Sequence, residues 1–312
     1  MNKGKLSEIT YPQTAFHEGK FVFPDTVKFI RIDVGLSTHG SHSASFLHLH
    51  KDRGSVGVEP DPRCVEELIH GSDLLPEVKR VVINTQSVMY HKENICNLAS
   101  RFILVNCAVS DRGVHDYVPF YLTDAQSAGD NNQYKIFGTS SLHMPTSKHP
   151  SGGYHIQNVL AMPLSEIIEA IPDRFTFIEE IKVDTEGHDY QVVKSAGEFI
   201  KRAVYVTVEC GTNAPRHHHG LVVDSKNSTR SAIEEYMESM GFRVDFEDST
   251  DQRYINVKLK HLVNLYGLNT DGESLILGGK SSLRKRLRFK TKRLFRDAGK
   301  KITRILKRKR SS

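Results

Sequence analysis

The stretch from Ile181 to Tyr190, IKVDTEGHDY, constrains this chain more than any other, because an alternating apolar strand stops abruptly at two carboxylates and a glycine. At the carboxyl end of a strand in an open α/β sheet, such an edge faces a ligand rather than the core. The same ending recurs upstream. FIRIDVGLSTHGS closes a strand with Asp33 and Gly35, and SVGVEP carries Glu59 at its tip. Three acid-tipped strands predict that Asp33, Glu59 and Asp184 converge on one nucleotide-like pocket. Gly35 would admit a close backbone approach there, and Glu59 would accept hydrogen bonds from two ribose hydroxyls.

The segments between these tips alternate between strand and helix patterns, which predicts a mostly parallel sheet. Residues 27–33 and 56–59 form strands, and ASFLHLH a short helix. DPRCVEELIHG reads as a helix with Pro62 near its start, Val65, Leu68 and Ile69 on one face, and Gly71 past its end. RFILVNCAV is a buried strand ending in an SDRG turn, and VHDYVPFYLTD alternates like an antiparallel excursion. Residues 124–156, rich in Ser, Gly, Asn, His and Lys, suit a loop lying over a ligand. Helices follow at PLSEIIEAIP and at DYQVVKSAGEFI, then the strand AVYVTVEC, a helix capped by Ser228, and terminal strands at GFRVDF and RYINVKL.

Charge is distributed unevenly along the 312 residues. Of the 43 Lys and Arg, residues 281–312 hold 15 against one acid, Asp297; the tail is +14, and the remaining 28 basic and 36 acidic side chains give the body −8. Leu283, Leu287, Leu294, Ala298, Ile302 and Ile305 fall within an arc of about 100° at helical spacing, a basic amphipathic pattern. Such a helix suits an anionic membrane surface or nucleic-acid phosphates. The four cysteines lie far apart with no CxxC pair, so a reducing compartment is expected, without a disulfide framework or thiolate zinc site. His39, His42, His48 and His50, and the run His217 to His219, lack companion carboxylates at a ligand spacing, so no metal is expected. No signal peptide is evident, and no segment reaches the roughly 20 apolar residues that span a bilayer. A cytoplasmic chain is the expectation, peripheral on a membrane or open to nuclear import through its tail.

IDVG at Ile32 to Gly35, VEPDP at Val58 to Pro62, NCAVSD at Asn106 to Asp111, GTSSL at Gly138 to Leu142 and IKVDTEGHD at Ile181 to Asp189 occur in an order that resembles the FkbM-type methyltransferases, a family of class I enzymes dependent on S-adenosylmethionine. The resemblance covers about residues 27–257. It implies a Rossmann-like α/β sheet of seven mostly parallel strands with a terminal antiparallel hairpin. The implied organisation is an N-terminal extension at 1–26, a domain at 27–265, a linker at 266–280 and the basic tail at 281–312. One departure stands out. The family's usual first loop is near DVGANVG, whereas DVGLSTHGS delays the second glycine to Gly40, which bears on how the cofactor carboxylate is gripped.

By this resemblance Asp33, Gly35, Ser37, Glu59, Asn106, Ala108, Asp111 and Ser141 contact S-adenosylmethionine, with Ser140 beside Ser141 in the covering loop. Asp184, Glu186 and His188 are the candidate catalytic groups. A sulfonium already activates its methyl, so the protein has chiefly to align an acceptor and exclude water. O-methylation of a small molecule or glycan is the implied reaction; of the three groups that could take the hydroxyl proton, Asp184 is expected near cofactor and acceptor, with Glu186 structural or supporting. A nicotinamide oxidoreductase fits less well, since the first loop lacks GxGxxG. A methyltransferase-like module that has lost activity and binds membrane or nucleic acid through its tail is the alternative from another class.

Overall fold

The computed structural model describes residues 3–37, 40, 42–43, 46–47, 50–70, 78–83, 86–91, 100–112, 115–123, 126–127, 135–136, 140–144, 154–210, 217–218, 221–222, 230–247 and 251–268. Two compact units are distinguished, one comprising Met1–Arg80 with Met89–Leu268 and the other Val81–Val88 with Asn269–Ser312. In the second unit the described residues are strand segments at 81–83 and 86–88. The basic tail, the Ser228 cap, and most of the loop at 124–156 lie outside the described residues.

The strands of the first unit that bear on the site and its sheet are β1 (Thr10–Tyr11), β2 (Phe29–Val34), β3 (Arg53–Val58), β4 (Phe102–Val105), β5 (Ala108–Val109), β6 (Tyr117–Thr123), β7 (Tyr154–Met162), β8 (Ile178–Val183), β9 (Ala203–Glu209), β10 (Phe242–Glu247) and β11 (Asp251–Asn256). The main sheet runs β1-β4-β3-β2-β8-β9-β11-β10. The five central strands, β4 to β9 in that order, are parallel, and β10 and β11 close one edge as the expected antiparallel hairpin. The count is eight rather than seven. Thr10 and Tyr11 pair antiparallel with Val105 and Leu104, and the Asn106 amide donates to the Ile9 carbonyl. A two-residue strand has no periodicity to betray it in sequence.

Two further differences have local causes. The apolar run 101–109 is split, because β5 leaves the main sheet to pair parallel with β7, which in turn pairs antiparallel with β6. The helix expected through Ile200 ends at Ser195, where Gly197 at φ +52° turns the chain into a 3-10 segment, Gly197–Arg202.

Ile30, Ile32, Val56, Val58, Ile103, Ile181, Val183, Val206 and Val208 are buried within the sheet strands. Yet the central strands also carry charge. Register places Arg31 opposite Glu180 and Asp33 opposite Lys182, and strand pleating sends all four to one face. Arg31 and Glu180 form an ion pair, and the Thr207 hydroxyl donates to Glu180 at 2.5 Å. Because each buried charge has an opposite partner, the face tolerates them.

Gly57 shows how closely the first loop lies on the sheet: a Cβ there would overlap the Leu36 side chain and come within 2.9 Å of Phe102 Cζ. Gly57→Ala is therefore expected to lower stability by about 1–3 kcal/mol. Chemical denaturation measures this, and an unchanged midpoint would mean that Leu36 moves aside without cost.

Candidate functional site

Beyond the carboxyl ends of β2, β3, β4 and β8 lies an open cleft. The strand tips supply Val34, Gly35, Ser37, Glu59, Pro60, Cys107, Ala108 and Val109, while Asp184, Thr185, Glu186 and His188 come from the loop after β8. Phe120 of β6, with Ser140 and Leu142, forms the covering side. Ser141 is held there by a two-way backbone bridge with Tyr121, so β6 carries the covering segment.

The closest approach in the cleft is between the first loop and the loop after β8. Gly35 has φ +86°, and a Cβ on it would overlap the Asp184 carbonyl. Only glycine fits on both counts. Glu186 at φ +52° and Gly187 at φ +96° then turn the second loop sharply. Asp189 braces that turn: one carboxylate oxygen accepts from the Thr185 amide and hydroxyl at 2.8 and 3.0 Å, and the other from the Gly187 amide at 3.1 Å.

Glu59 is buried, at 5 % exposure. Its Oε2 accepts from the Ser37 amide at 2.7 Å and its Oε1 from the Asp61 amide at 2.9 Å. Burial pushes its pKa up to about 8, against the opposing effect of those two amides. The carboxyl is thus fixed between two loops, with acceptor capacity remaining on each oxygen. Beside it, Arg63 clamps Asp61, which also accepts from the Ser140 hydroxyl at 3.0 Å and so ties the covering segment to the tip of β3.

Asp184 is the charge centre. Lys182 Nζ donates to Asp184 Oδ2 at 2.9 Å and stands 4.0 Å from Asp33 Oδ1. Burial opposes ionisation of Asp184, but the Lys182 ammonium and hydrogen bonds from Lys182 and Glu209 outweigh it and hold its pKa below the usual carboxylate range. Burial likewise penalises the Lys182 charge, and Asp184 and Asp33 more than compensate, raising its pKa. The neighbouring carboxyls respond in the opposite sense. Burial, then Asp184 and Asp189, push Glu186 up to about 8; burial and then Asp184 push Asp189 up to about 6. Glu209, at the tip of β9, rises to about 10 through burial and then Asp184, Asp189 and Glu186. Several like charges cannot ionise together in one enclosed space, and Lys182 selects Asp184 as the one that does.

His188 opens the helix Asp189–Ser195. Its Nε2 lies 3.1 Å from Ser110 Oγ and its Nδ1 3.4 Å from His143 Nε2, and burial followed by His143 lowers its pKa to about 4. The imidazole is therefore neutral at pH 7, with both nitrogens turned toward protein partners.

Of the residues expected at the cofactor, Gly35, Ser37, Glu59 and Ala108 line the cleft, as do the expected catalytic residues Asp184, Glu186 and His188. The other four expected cofactor contacts, Asp33, Asn106, Asp111 and Ser141, are not among the residues that line the cleft. Asp33 faces the same side of the sheet as Lys182, and its Oδ2 accepts from the Ser43 hydroxyl at 2.8 Å and amide at 3.2 Å. Asp111 pairs with Lys194 at 3.2 Å. Ser141 donates to the Glu186 carbonyl at 3.1 Å, leaving Ser140 as the serine that lines the cleft. Asn106 is engaged through its amide with Ile9 and is not a lining residue. Sequence reasoning passed over Lys182, Asp189 and Glu209. Glu209 carried the signal, since AVYVTVEC ends in an acid just as the other three strands do. Among the described residues no group of three His, Cys, Asp or Glu is arranged to hold a metal ion, and no helix is long and apolar enough to cross a membrane.

Glu209 generates a pH prediction. A carboxyl whose folded pKa exceeds its unfolded value lends stability that is full below the unfolded value and lost as pH rises through the folded one. For Glu209 that window runs from 4.5 to about 10. Thermal midpoints should fall as pH is raised from about 5 to about 9, and less steeply in Glu209→Gln, which keeps a donor toward Asp184 without the ionisation. Parallel curves for the two proteins would remove Glu209 from the cluster.

Comparison with known proteins adds the following. The family model described as the Methyltransferase FkbM domain matches residues 33–244. No curated protein matches the chain in sequence. Similar solved structures include the 16S rRNA (adenine(1408)-N(1))-methyltransferase from Catenulisporales acidiphilia, 12 % identical over 78 % of this chain and 97 % of that one, with a TM-score of 0.33. They also include the antibiotic-resistance methyltransferase Kmr, 10 % identical over 75 % and 89 % of the two chains, with a TM-score of 0.30. Likenesses this distant assign neither chemistry nor substrate.

Proposed function

Because the chain belongs to the FkbM methyltransferase domain family, we propose that it uses S-adenosylmethionine to methylate a hydroxyl on a small molecule or a glycan. The observation that carries this reading is the position of Glu59. Its buried carboxyl is anchored by the Ser37 and Asp61 amides in the lining of a cleft that also presents Asp184 and Glu186. The residues present fit the cofactor: a carboxyl with spare acceptor capacity suits a ribose diol, Gly35 has no side chain to obstruct the approach, and the carboxyls suit a sulfonium.

When bound, S-adenosylmethionine supplies an electrophilic methyl. The chain's own groups grip, align and manage a proton. Glu59, Gly35, Ser37 and Ala108 would hold the adenosyl part. Lys182 keeps Asp184 anionic at the cleft wall, and Asp189 fixes the Thr185–Gly187 turn on which Glu186 stands. Phe120, Ser140 and Leu142 would shape the acceptor side and exclude water. Among the described residues the lining includes three carboxyls and no Lys or Arg, which suits a neutral acceptor better than a phosphate-rich one.

Glu59→Ala should weaken S-adenosylmethionine binding roughly 10–100-fold through loss of the two ribose hydrogen bonds, with the fold retained. Calorimetric titration reads this directly, and unchanged affinity would remove Glu59 from the cofactor site. Truncation of residues 281–312 should leave the same affinity within error, because the lining groups among the described residues all lie between Val34 and His188. A truncated protein that folds but no longer takes up the cofactor would place the tail within the site.

A further inference from the structure

Three groups in the cleft could accept the proton of a hydroxyl acceptor, and their surroundings separate them. Asp184 is anionic but held by the Lys182 ammonium at 2.9 Å and by a hydrogen bond with Glu209, so an added proton would cost both interactions. His188 has Nε2 directed to Ser110 and Nδ1 to His143. Glu186 lines the same wall on a left-handed turn that Asp189 braces, and it faces Asp184 and Asp189 as like charges and Lys182 as the opposing one, with Glu209 adding to the acids. Ser141 pins the Glu186 backbone by donating to its carbonyl, so the turn is tied to the covering segment as well as to the helix behind it.

We propose that Glu186 is the catalytic base and that the charge of the cofactor arms it: a sulfonium entering the cleft adds positive charge to a wall where one lysine faces several carboxyls, and the Glu186 carboxylate takes the proton of the acceptor hydroxyl during methyl transfer. The inference rests on the S-adenosylmethionine reading above and deepens it. Its physical basis is the composition of the wall. One lysine serves several carboxyls, and an additional positive charge permits one more of them to ionise. With its pKa near 8 in the empty cleft, Glu186 is the lining carboxyl beside Asp184 that a nearby cation would bring below neutrality.

The step balances. The acceptor oxygen forms a bond to the methyl carbon, the carbon–sulfur bond breaks with its electron pair going to sulfur, and the hydroxyl proton passes to the Glu186 carboxylate. One positive and one negative charge disappear together, leaving a neutral thioether, a neutral carboxylic acid and the methyl ether. The same cancellation returns the cleft to the protonation state of the empty protein and removes the charge that favoured cofactor over product. The wall therefore discriminates S-adenosylmethionine from S-adenosylhomocysteine by charge.

Isothermal titration in buffers of different ionisation enthalpy, with each of these two ligands, reads the protons released on binding. Because Glu59 meets the same ribose in both, its contribution cancels in the difference. At pH 7 S-adenosylmethionine should release close to one proton more than S-adenosylhomocysteine, and Glu186→Gln should abolish the excess. The preference for S-adenosylmethionine should also rise about tenfold per pH unit below pH 8 and level off above it. Equal release by the two ligands in the wild type overturns the inference even if the variant does not fold, and so does an excess that survives in a folded Glu186→Gln. Failure of both ligands to bind would instead overturn the S-adenosylmethionine reading on which the inference rests.

Discussion

The contact between Gly35 and the Asp184 carbonyl governs the rest of the site. Parallel pairing of β2 with β8 brings the ends of these strands side by side, and the absent side chain at residue 35 allows the two loops beyond them to meet. One of those loops contributes the Ser37 amide that fixes Glu59; the other contributes Asp184, Glu186 and His188. A side chain at residue 35 would part the two walls. Asp184, Glu186 and His188, and Glu59 through the Ser37 amide, are placed by loops that depend on that one close approach.

Charge is organised around the same point. Lys182 lies between Asp33 on the neighbouring strand and Asp184 at its own strand's end, and it stabilises one carboxylate where several carboxyls crowd together. The energetic consequence is a wall held short of full ionisation. Such a wall is costly for the folded state at high pH, and that cost is of the kind found where function, rather than stability, sets the arrangement. Elsewhere on the sheet the buried charges are matched, as with Arg31 and Glu180, or Arg53 Nε and Glu179 at 3.1 Å.

Much of this was legible in the sequence. The βα alternation and the acid-tipped strands located the sheet and the cleft wall, because strand periodicity and strand ends are local properties, while the terminal hairpin was implied by the family resemblance. What remained hidden was the direction of side chains that depend on register or tertiary pairing. Asp33 shares its strand tip with cleft residues, yet pleating turns it toward Ser43 and Lys182. Ser140 and Ser141 are adjacent and chemically alike, and only the bridge to Tyr121 decides which of them lines the cleft. Thr10 and Tyr11 form a strand solely because the edge of β4 offers unpaired backbone groups.

The central claim is that a single cleft, walled by Glu59 on one side and by Asp184 and Glu186 on the other, receives the adenosyl group. A crystal structure of the protein with S-adenosylhomocysteine tests it most directly. The account predicts ribose hydroxyls on the Glu59 carboxyl and the sulfur facing the wall formed by Asp184 and Glu186. Density for the ligand elsewhere on the protein, or with its ribose remote from Glu59, would contradict it.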